Sequence, residues 1–263
     1  MAYRKQTGFT LIELMISVVI ALVVLLGVSN LYLGTRQTNK IQTMQSRLSE
    51  DGRFAVSMLQ RMIGQAGYRN SPNLAVNANR LTPGTGSAST TSATVQFTAD
   101  GNNQIGCPGT VAAAGAYTAV INFAANALTC TAGGTSTSWL AGAGSGAGGS
   151  SDVVDFRLQY GVDANDAVPA TPADYGCGAT AANPTLRVRD CIADSYVSAL
   201  TGGQTSDQIV SVRACIVLRS EQSDSRVVKR AAYNNCSGTA IANSQNDGRL
   251  YRTFNTTVLI KNF

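Results

Sequence analysis

The sequence of 263 residues contains no histidine. This absence excludes catalysis by Ser-His-Asp or Cys-His groups, because both arrangements need an imidazole as the base. The sequence also lacks a P-loop and a GxGxxG turn after a strand, the two motifs that cradle nucleotide phosphates. We therefore expect a protein that is not an enzyme and that needs no organic cofactor.

Charged residues are scarce as well. Asp, Glu, Lys and Arg make up 13% of the residues, against about 25% in a typical soluble domain. The net charge of +5 is spread along the chain, and no basic block is interleaved with aromatic residues. Nucleic acid is therefore not an expected partner.

The six cysteines all lie far from the N-terminus: Cys107, Cys130, Cys177, Cys191, Cys215 and Cys236. None belongs to a CxxC pair. The cysteines are even in number and follow an N-terminal apolar run that can direct export, which favours disulfides formed in an oxidising compartment. We predict that sequence neighbours pair, as in Cys107 with Cys130, Cys177 with Cys191 and Cys215 with Cys236. The alternative is that some of these cysteines are free, buried thiols.

Residues 9–33 form an apolar run in which Glu13 is the sole charged side chain. As a helix, this run spans about 37 Å, which exceeds the ~30 Å hydrocarbon core of a bilayer. Arg4 and Lys5 precede the run, so the positive-inside rule keeps the N-terminus cytoplasmic and places the rest of the chain across the membrane. A cleaved secretory signal is the alternative, with Gly27-Val28-Ser29 as a loose match to a cleavage site.

The helical pattern continues beyond the apolar run, which argues against a cleaved signal. Apolar residues recur mostly at spacings of three and four: Ile41, Met44, Leu48, Ala55, Leu59, Met62, Ile63 and Ala66. Such a stripe is typical of a helix that packs against a domain. We predict one helix over residues 9–66, apolar all round over 9–33 and amphipathic in the segment 34–70.

The segment KQTGFTLIEL, from Lys5 to Leu14, resembles the leader and processing site of type IV prepilins and pseudopilins. It combines a short basic leader, Gly before Phe, and Glu four residues after that Phe. The resemblance implies that a prepilin peptidase removes the leader, residues 1–8, between Gly8 and Phe9. It also implies N-methylation of Phe9 and subunit docking through Glu13 and Thr10.

The position of Glu13 fits this resemblance. A carboxylate within an apolar helix is costly unless it has a partner. Cleavage creates an α-amino group on Phe9, one helical turn from Glu13, and a first-turn carboxylate complements the helix dipole. In a filament, the resemblance implies a closer partner, the N-terminal amine of a neighbouring subunit. Whether the amine comes from the same chain or from the next subunit stays open.

The C-terminal half also resembles one pilin family. The segments 155–163, 209–218 and 251–262 are similar to segments of PilW-type minor pilins, which are similar in turn to the J-type minor pseudopilin of type II secretion. The resemblance is strong over the first 70 residues, moderate over 150–263 and slight between them.

The strands predicted beyond residue 70 indicate the architecture of the rest of the chain. Residues 71–151 form a low-charge region rich in Gly, Ala, Ser and Thr, with strands predicted at 93–99 and 117–123 and a flexible loop at its end. This region is either a variable binding surface or a tolerated insertion.

Residues 152–263 are expected to hold the antiparallel sheet of the head. Its predicted strands are 152–161, a hairpin of 209–218 with 226–233, and 250–260. Strands that follow a long helix predict a pilin-like α+β fold, in which the helix packs on an antiparallel sheet with extended loops.

One loop has a weak likeness to a calcium site. Asp163, Asn165 and Asp174 fall at the first, third and twelfth positions of an EF-hand loop, and Asp166 lies among them. The fifth ligand and the turn glycine are replaced by Ala167 and Val168. An Asx-rich turn is the simpler interpretation, so no metal is expected.

The resemblance implies a minor pilin that primes assembly of a type IV pilus, sits in a tip complex and supports adhesion and twitching motility. Its implied partners are the other minor pilins, the major pilin, the prepilin peptidase and N-methyltransferase, the inner-membrane assembly platform and a tip adhesin. The implied location is the inner membrane, with a periplasmic head, and then the pilus. A type II pseudopilin and a pilin-stemmed adhesin are the alternatives.

Overall fold

The computed structural model describes residues 10–71, 73–74, 77–141, 151–163 and 191–262. The chain divides into two compact units, residues 1–44 and 45–263. Helix α1 (Leu11–Gly64) contributes to both units, and its bounds lie within two residues of the predicted ones. The second unit contains two antiparallel sheets beside the helix, so the predicted α+β class is confirmed.

The second half of α1 buries the stripe that the sequence predicts. Leu48, Ala55, Leu59, Met62 and Ile63 are almost fully buried. The intervening polar residues remain exposed: Gln45, Arg47, Glu50, Arg53 and Gln60. This pattern places one face of the helix in the core of the second unit and leaves the other face in solvent.

Glycine and asparagine residues shape the contacts of α1 with its surroundings in the second unit. A Cβ atom at Gly52 would lie 2.2 Å from the ring of Phe254, so the absence of a side chain lets this ring pack on the helix. At the C-terminal end, Asn262 donates from Nδ2 to the carbonyl oxygens of Gly64 and Ala66, both at 3.2 Å. These bonds satisfy carbonyls that a helix end leaves without partners.

The low-charge region folds into a complete sheet. Its five strands are β1 (Leu81–Pro83), β2 (Ser92–Ala99), β3 (Gly115–Ala124), β4 (Ala127–Ala132) and β5 (Thr135–Leu140). They pair antiparallel in chain order. Strand β2 has the alternation that gives a strand one buried face. Its buried residues, which alternate with polar ones, are Ala93, Val95, Phe97 and Ala99. The strands predicted at 93–99 and 117–123 are confirmed, whereas the flexible loop predicted at the end of this region falls on residues 142–150, which lie outside the described residues.

The second sheet contains β6 (Asp152–Val162), β7 (Ser195–Val197), β8 (Ile209–Arg219) and β9 (Tyr251–Leu259). Its order is β7-β6-β8-β9, with every neighbouring pair antiparallel. Strands β6, β8 and β9 match the predicted strands at 152–161, 209–218 and 250–260.

The predicted hairpin of 209–218 with 226–233 is wrong, because β8 pairs with β6 on one side and β9 on the other. Residues Val227 and Val228, which suggested a strand, donate their N–H groups to the carbonyl of Asp224 and form a turn. The segment that follows is fixed by the Cys215–Cys236 disulfide. In contrast, β9 forms a nine-residue register with β8 and buries Val258.

One hydrophobic cluster joins the inner faces of both sheets to the second half of α1. Two buried polar side chains connect the sheets across it. The hydroxyl of Tyr160 on β6 donates to the carbonyl oxygens of Ser89 and Ser92, at 2.9 and 3.1 Å. Arg80, which precedes β1, donates from Nη2 to the carbonyl oxygens of Asp207 and Ile209. Burial raises the pKa of the Tyr160 phenol.

Candidate assembly site on the N-terminal helix

Thr10 forms the N-terminal cap of α1. Its carbonyl oxygen accepts hydrogen bonds from the N–H groups of Glu13 and Leu14, at 3.1 and 3.2 Å. Its Oγ1 also lies 3.4 Å from the Glu13 nitrogen and accepts from the same N–H. A threonine hydroxyl bonded to the N–H two or three residues into the helix is a standard N-cap.

The Thr10–Glu13 pair therefore has the spacing of a capping box, Thr-x-x-Glu, in which the glutamate carboxylate can bond back to the cap N–H. From the sequence, Glu13 is expected to interact with the helix dipole and to take part in docking, but not to form a capping box. The Thr-x-x-Glu spacing was visible and would have identified Thr10 as the cap. Among the described residues the Glu13 carboxylate does not make this return bond, so the observed cap consists of the bonds from the Glu13 and Leu14 N–H groups to Thr10.

The Glu13 side chain is exposed, and within the described residues its carboxylate forms neither a hydrogen bond nor an ion pair. The other hydroxyl-bearing residue near it, Ser17, returns its hydrogen bond to the Leu14 carbonyl at 2.8 Å. A serine can thus satisfy itself within an apolar helix, whereas a carboxylate needs an external donor or cation.

The helix around Glu13 presents an apolar surface on all sides. Every residue from Thr10 to Leu33 is exposed, and the large apolar ones keep between 51% (Val18) and 78% (Leu11) of their surface accessible. This helix is the one in the described structure that is long and apolar enough to cross a membrane. Since an apolar surface of this size is unfavourable in water, it requires lipid or other apolar helices around it.

The predicted processing residues Gly8 and Phe9 lie outside the described residues. The structure does place most of the cysteines. Cys107 is bonded to Cys130 and Cys215 to Cys236, which are two of the three pairs expected from sequence neighbours. Cys191 is also disulfide-bonded, and its predicted partner Cys177 lies outside the described residues.

Of the four residues in the weak calcium loop, the structure describes Asp163 alone. Its side chain is buried, and its Oδ2 accepts a hydrogen bond from the N–H of Cys191 at 2.9 Å. Asn165, Asp166 and Asp174 lie outside the described residues. Asp163 therefore anchors the chain near Cys191, a role that the sequence did not predict.

A buried charge cluster lies at the start of β6 and was also not predicted. The Asp152 carboxylate, 3% exposed, accepts a hydrogen bond from Arg219 at 2.8 Å, and Arg249 lies 3.5 Å away. Arg249 also donates to the carbonyl oxygen of Ser220 at 2.9 Å. Because the cluster connects the ends of β6 and β8 with the residues before β9, we interpret it as part of the framework of the head.

Comparisons with known proteins found two matching family models and a similar solved structure. A family model described as type IV pilus-assembly protein W (PilW) matches residues 122–262, more than half of the chain. A second model, the prokaryotic N-terminal methylation motif, matches residues 3–29. The chain is also similar to the solved structure of a type IV-like pilin from Thermus thermophilus, at 15% identity and a TM-score of 0.45, covering 82% of this chain and 98% of the other. No curated protein sequence matches.

A long N-terminal helix with an exposed apolar half, an antiparallel head and an N-terminal methylation motif together define a type IV pilin-like subunit. Such subunits are structural rather than catalytic. Within this class, the chain belongs to the PilW family of minor pilins. The family assignment expected from residues 5–14 and from the C-terminal segments is confirmed.

Proposed function

We propose that this chain is a minor subunit of a type IV pilus, which enters the filament through residues 11–33 and helps to prime its assembly. The observation that carries the proposal is the isolated Glu13 carboxylate on an exposed apolar helix directly after the methylation motif. Apolar helices bundled in a filament would cover this surface, and the N-terminal amine of a processed subunit would neutralise the carboxylate. The PilW family description supports the pilus over the secretion pseudopilus.

The proposal includes a cellular route. The chain is held in the inner membrane by its N-terminal helix with the head in the periplasm, and prepilin peptidase cuts after Gly8 and methylates Phe9. The assembly platform then inserts the subunit beside other minor pilins and the major pilin. A position in a tip complex, contact with a tip adhesin, and support of attachment and twitching follow from this role.

Three variants separate the possible roles of Glu13. Glu13→Gln keeps a side chain that can complete the capping box but removes the charge, whereas Glu13→Ala removes both. Glu50→Ala is the matched control, since Glu50 is an exposed glutamate on the same helix outside the apolar segment. The measurement is the amount of each variant in sheared surface filaments relative to its amount in membranes.

We expect both Glu13 variants to be processed but depleted from filaments, and Glu50→Ala to behave as wild type. If Glu13→Gln assembled normally and only Glu13→Ala failed, Glu13 would act as a helix cap and the docking role would be wrong. Normal assembly of both would remove Glu13 from the mechanism. A clean deletion strain with normal surface pili but impaired protein secretion would instead assign the chain to a pseudopilus.

Deletion of the low-charge region, residues 71–151, would not be a clean test of the adhesin alternative. Strands β1–β5 contribute buried residues such as Val95, Ile121 and Leu128 to the shared core, so removing them would unfold the head. Exchange of exposed side chains on an intact sheet is the appropriate perturbation.

A further inference from the structure

The outer face of the second sheet carries polar side chains in register across three strands. Gln159 on β6 lies opposite Arg213 on β8, which lies opposite Thr257 on β9. One row away, Arg157 lies opposite Cys215, which lies opposite Asn255. Side chains paired in this way are close neighbours, and diagonal pairs such as Arg157 and Arg213 are within reach of one ligand.

These side chains line a groove of about 740 Å³, whose lining also includes the Cys215–Cys236 disulfide and Ser237. The volume falls within the range of about 300–1,000 Å³ that is usual for small-ligand sites. Apart from its two arginines, the described lining of the groove is uncharged and contains no carboxylate. Amide and hydroxyl groups supply most of its remaining polar surface: Gln159, Asn255, Thr257 and Ser237.

Arg213 is held in a fixed plane without using its hydrogen-bond donors. Its guanidinium carbon lies 3.5 Å from the centre of the Tyr196 ring, and the Tyr196 hydroxyl is hydrogen-bonded to Ser211 Oγ at 3.0 Å. Among the described residues, the Arg213 guanidinium has no ion pair and no hydrogen bond. An arginine stacked on a ring keeps its N–H edge free and preorganised for a carboxylate.

Arg157 adds positive charge to the same groove, although Asp155 already neutralises part of that charge. Its Nε lies 3.5 Å from Asp155 Oδ1, and its Nη1 donates to Thr90 Oγ1 at 3.3 Å. Asp155 does not line the groove, and its Oδ2 also accepts a hydrogen bond from the N–H of Cys236 at 2.9 Å. Two arginines and one aspartate leave the site with one net positive charge, centred on Arg213.

We propose that this groove binds an acidic saccharide, with the sugar carboxylate on the Arg213 guanidinium and the sugar hydroxyls on Gln159, Asn255 and Thr257. A guanidinium pairs with a carboxylate through two parallel charge-assisted hydrogen bonds. The abundance of amide and hydroxyl partners suits a ligand with many hydroxyl groups.

An acidic peptide fits the groove less well. Peptides gain much of their affinity by pairing their backbone with an exposed sheet edge. The groove runs over the faces of β6, β8 and β9; the backbone groups of β8 are paired on both sides, and those of β6 and β9 are paired with β8. Recognition here must therefore come from side chains, which favours a compact, polyhydroxylated ligand.

The test uses the full chain, purified in detergent, and titration calorimetry with three probes. These are a trimer of galacturonic acid, the neutral trisaccharide maltotriose and the peptide triglutamate. The variants are Arg213→Gln, which removes the proposed carboxylate partner, and Asn255→Asp, which places a negative charge in the groove on an exposed position of β9. Arg230→Gln is the control, since Arg230 is an exposed arginine that does not line the groove.

We expect binding of the galacturonate trimer alone, weakened by added salt and reduced about 10-fold or more by Arg213→Gln and Asn255→Asp, with no change in Arg230→Gln. If Arg213→Gln fails to fold, as judged by the emission of the single Trp139, Asn255→Asp decides the outcome. The proposal is overturned if the acidic trimer does not bind at millimolar concentration, or if maltotriose or triglutamate binds as tightly. It is also overturned if the groove variants bind like wild type.

Discussion

The hydroxyl of Tyr160 provides a direct test of how the two sheets are held together. The side chain is fully buried, and its hydroxyl donates to the carbonyl oxygens of Ser89 and Ser92 beside the first sheet. Tyr160→Phe keeps the ring and removes only this donor. A lost hydrogen bond, together with a buried carbonyl deprived of its donor, amounts to about 1–2 kcal/mol of unfolding free energy at neutral pH.

The same substitution predicts a particular dependence on pH. Burial raises the pKa of Tyr160 in the folded protein, whereas an unfolded tyrosine titrates near pH 10. Above about pH 10 the unfolded chain releases a proton that the folded chain retains, so this residue makes the wild type less stable as pH rises. The loss is about 1.4 kcal/mol per pH unit for one proton, and Tyr160→Phe lacks it.

The assay is denaturant unfolding of the full chain in detergent at pH 7 and at pH 11, followed by the emission of Trp139. This residue is the single tryptophan and is 6% exposed on β5. Tyr68→Phe is the matched control, because the Tyr68 hydroxyl has no hydrogen bond among the described residues. We expect the stability difference between wild type and Tyr160→Phe to shrink at pH 11. A difference that stays constant or grows with pH would show that Tyr160 does not retain its proton in the folded protein.

Three further predictions concern the head. Gly52→Ala places a Cβ atom 2.2 Å from the Phe254 ring, so we expect the free energy of unfolding, measured with denaturant, to fall by about 1–3 kcal/mol. Gly64→Ala, which has open space at its Cβ, is the control and is expected to unfold like wild type. Replacing both Cys215 and Cys236 by Ser opens a disulfide with a sequence separation of 21, which we expect to lower the unfolding free energy by about 3 kcal/mol; an unchanged denaturation midpoint would contradict this. Calorimetry with millimolar Ca²⁺ is expected to show no heat of binding, because the Asp163 carboxylate already accepts a hydrogen bond from the Cys191 N–H. A saturable heat signal would instead support a Ca²⁺ site in this loop.

The helix and the longer strands were predictable because their patterns are local. The buried positions of α1 recur every three or four residues, and the alternation of Ala93, Val95 and Phe97 identifies β2 from its own sequence. Strand β5 lacks such a pattern, and β4 has only the short alternation of Leu128 and Cys130 with threonines, so both strands depend on their neighbours in the sheet.

The incorrect hairpin and the missed groove share one physical cause. Pairing between β8 and β9 bridges an irregular segment of about 30 residues, and nothing within Val227-Val228 shows that β8 pairs instead with a more distant strand. The stacking of Arg213 on Tyr196 likewise arises only when β7 and β8 both pair with β6. Such juxtapositions depend on long-range register, which a single sequence does not specify.

The central claim is that this chain is processed as a prepilin and built into a filament through its N-terminal helix. Its most direct test is mass spectrometry of the N-terminus of the protein recovered from sheared surface filaments. The account predicts a mature chain that begins with N-methylated Phe9 and retains the apolar segment 11–33. Absence of the protein from the filaments, or a mature chain that begins near Asn30 after ordinary signal cleavage, would contradict it.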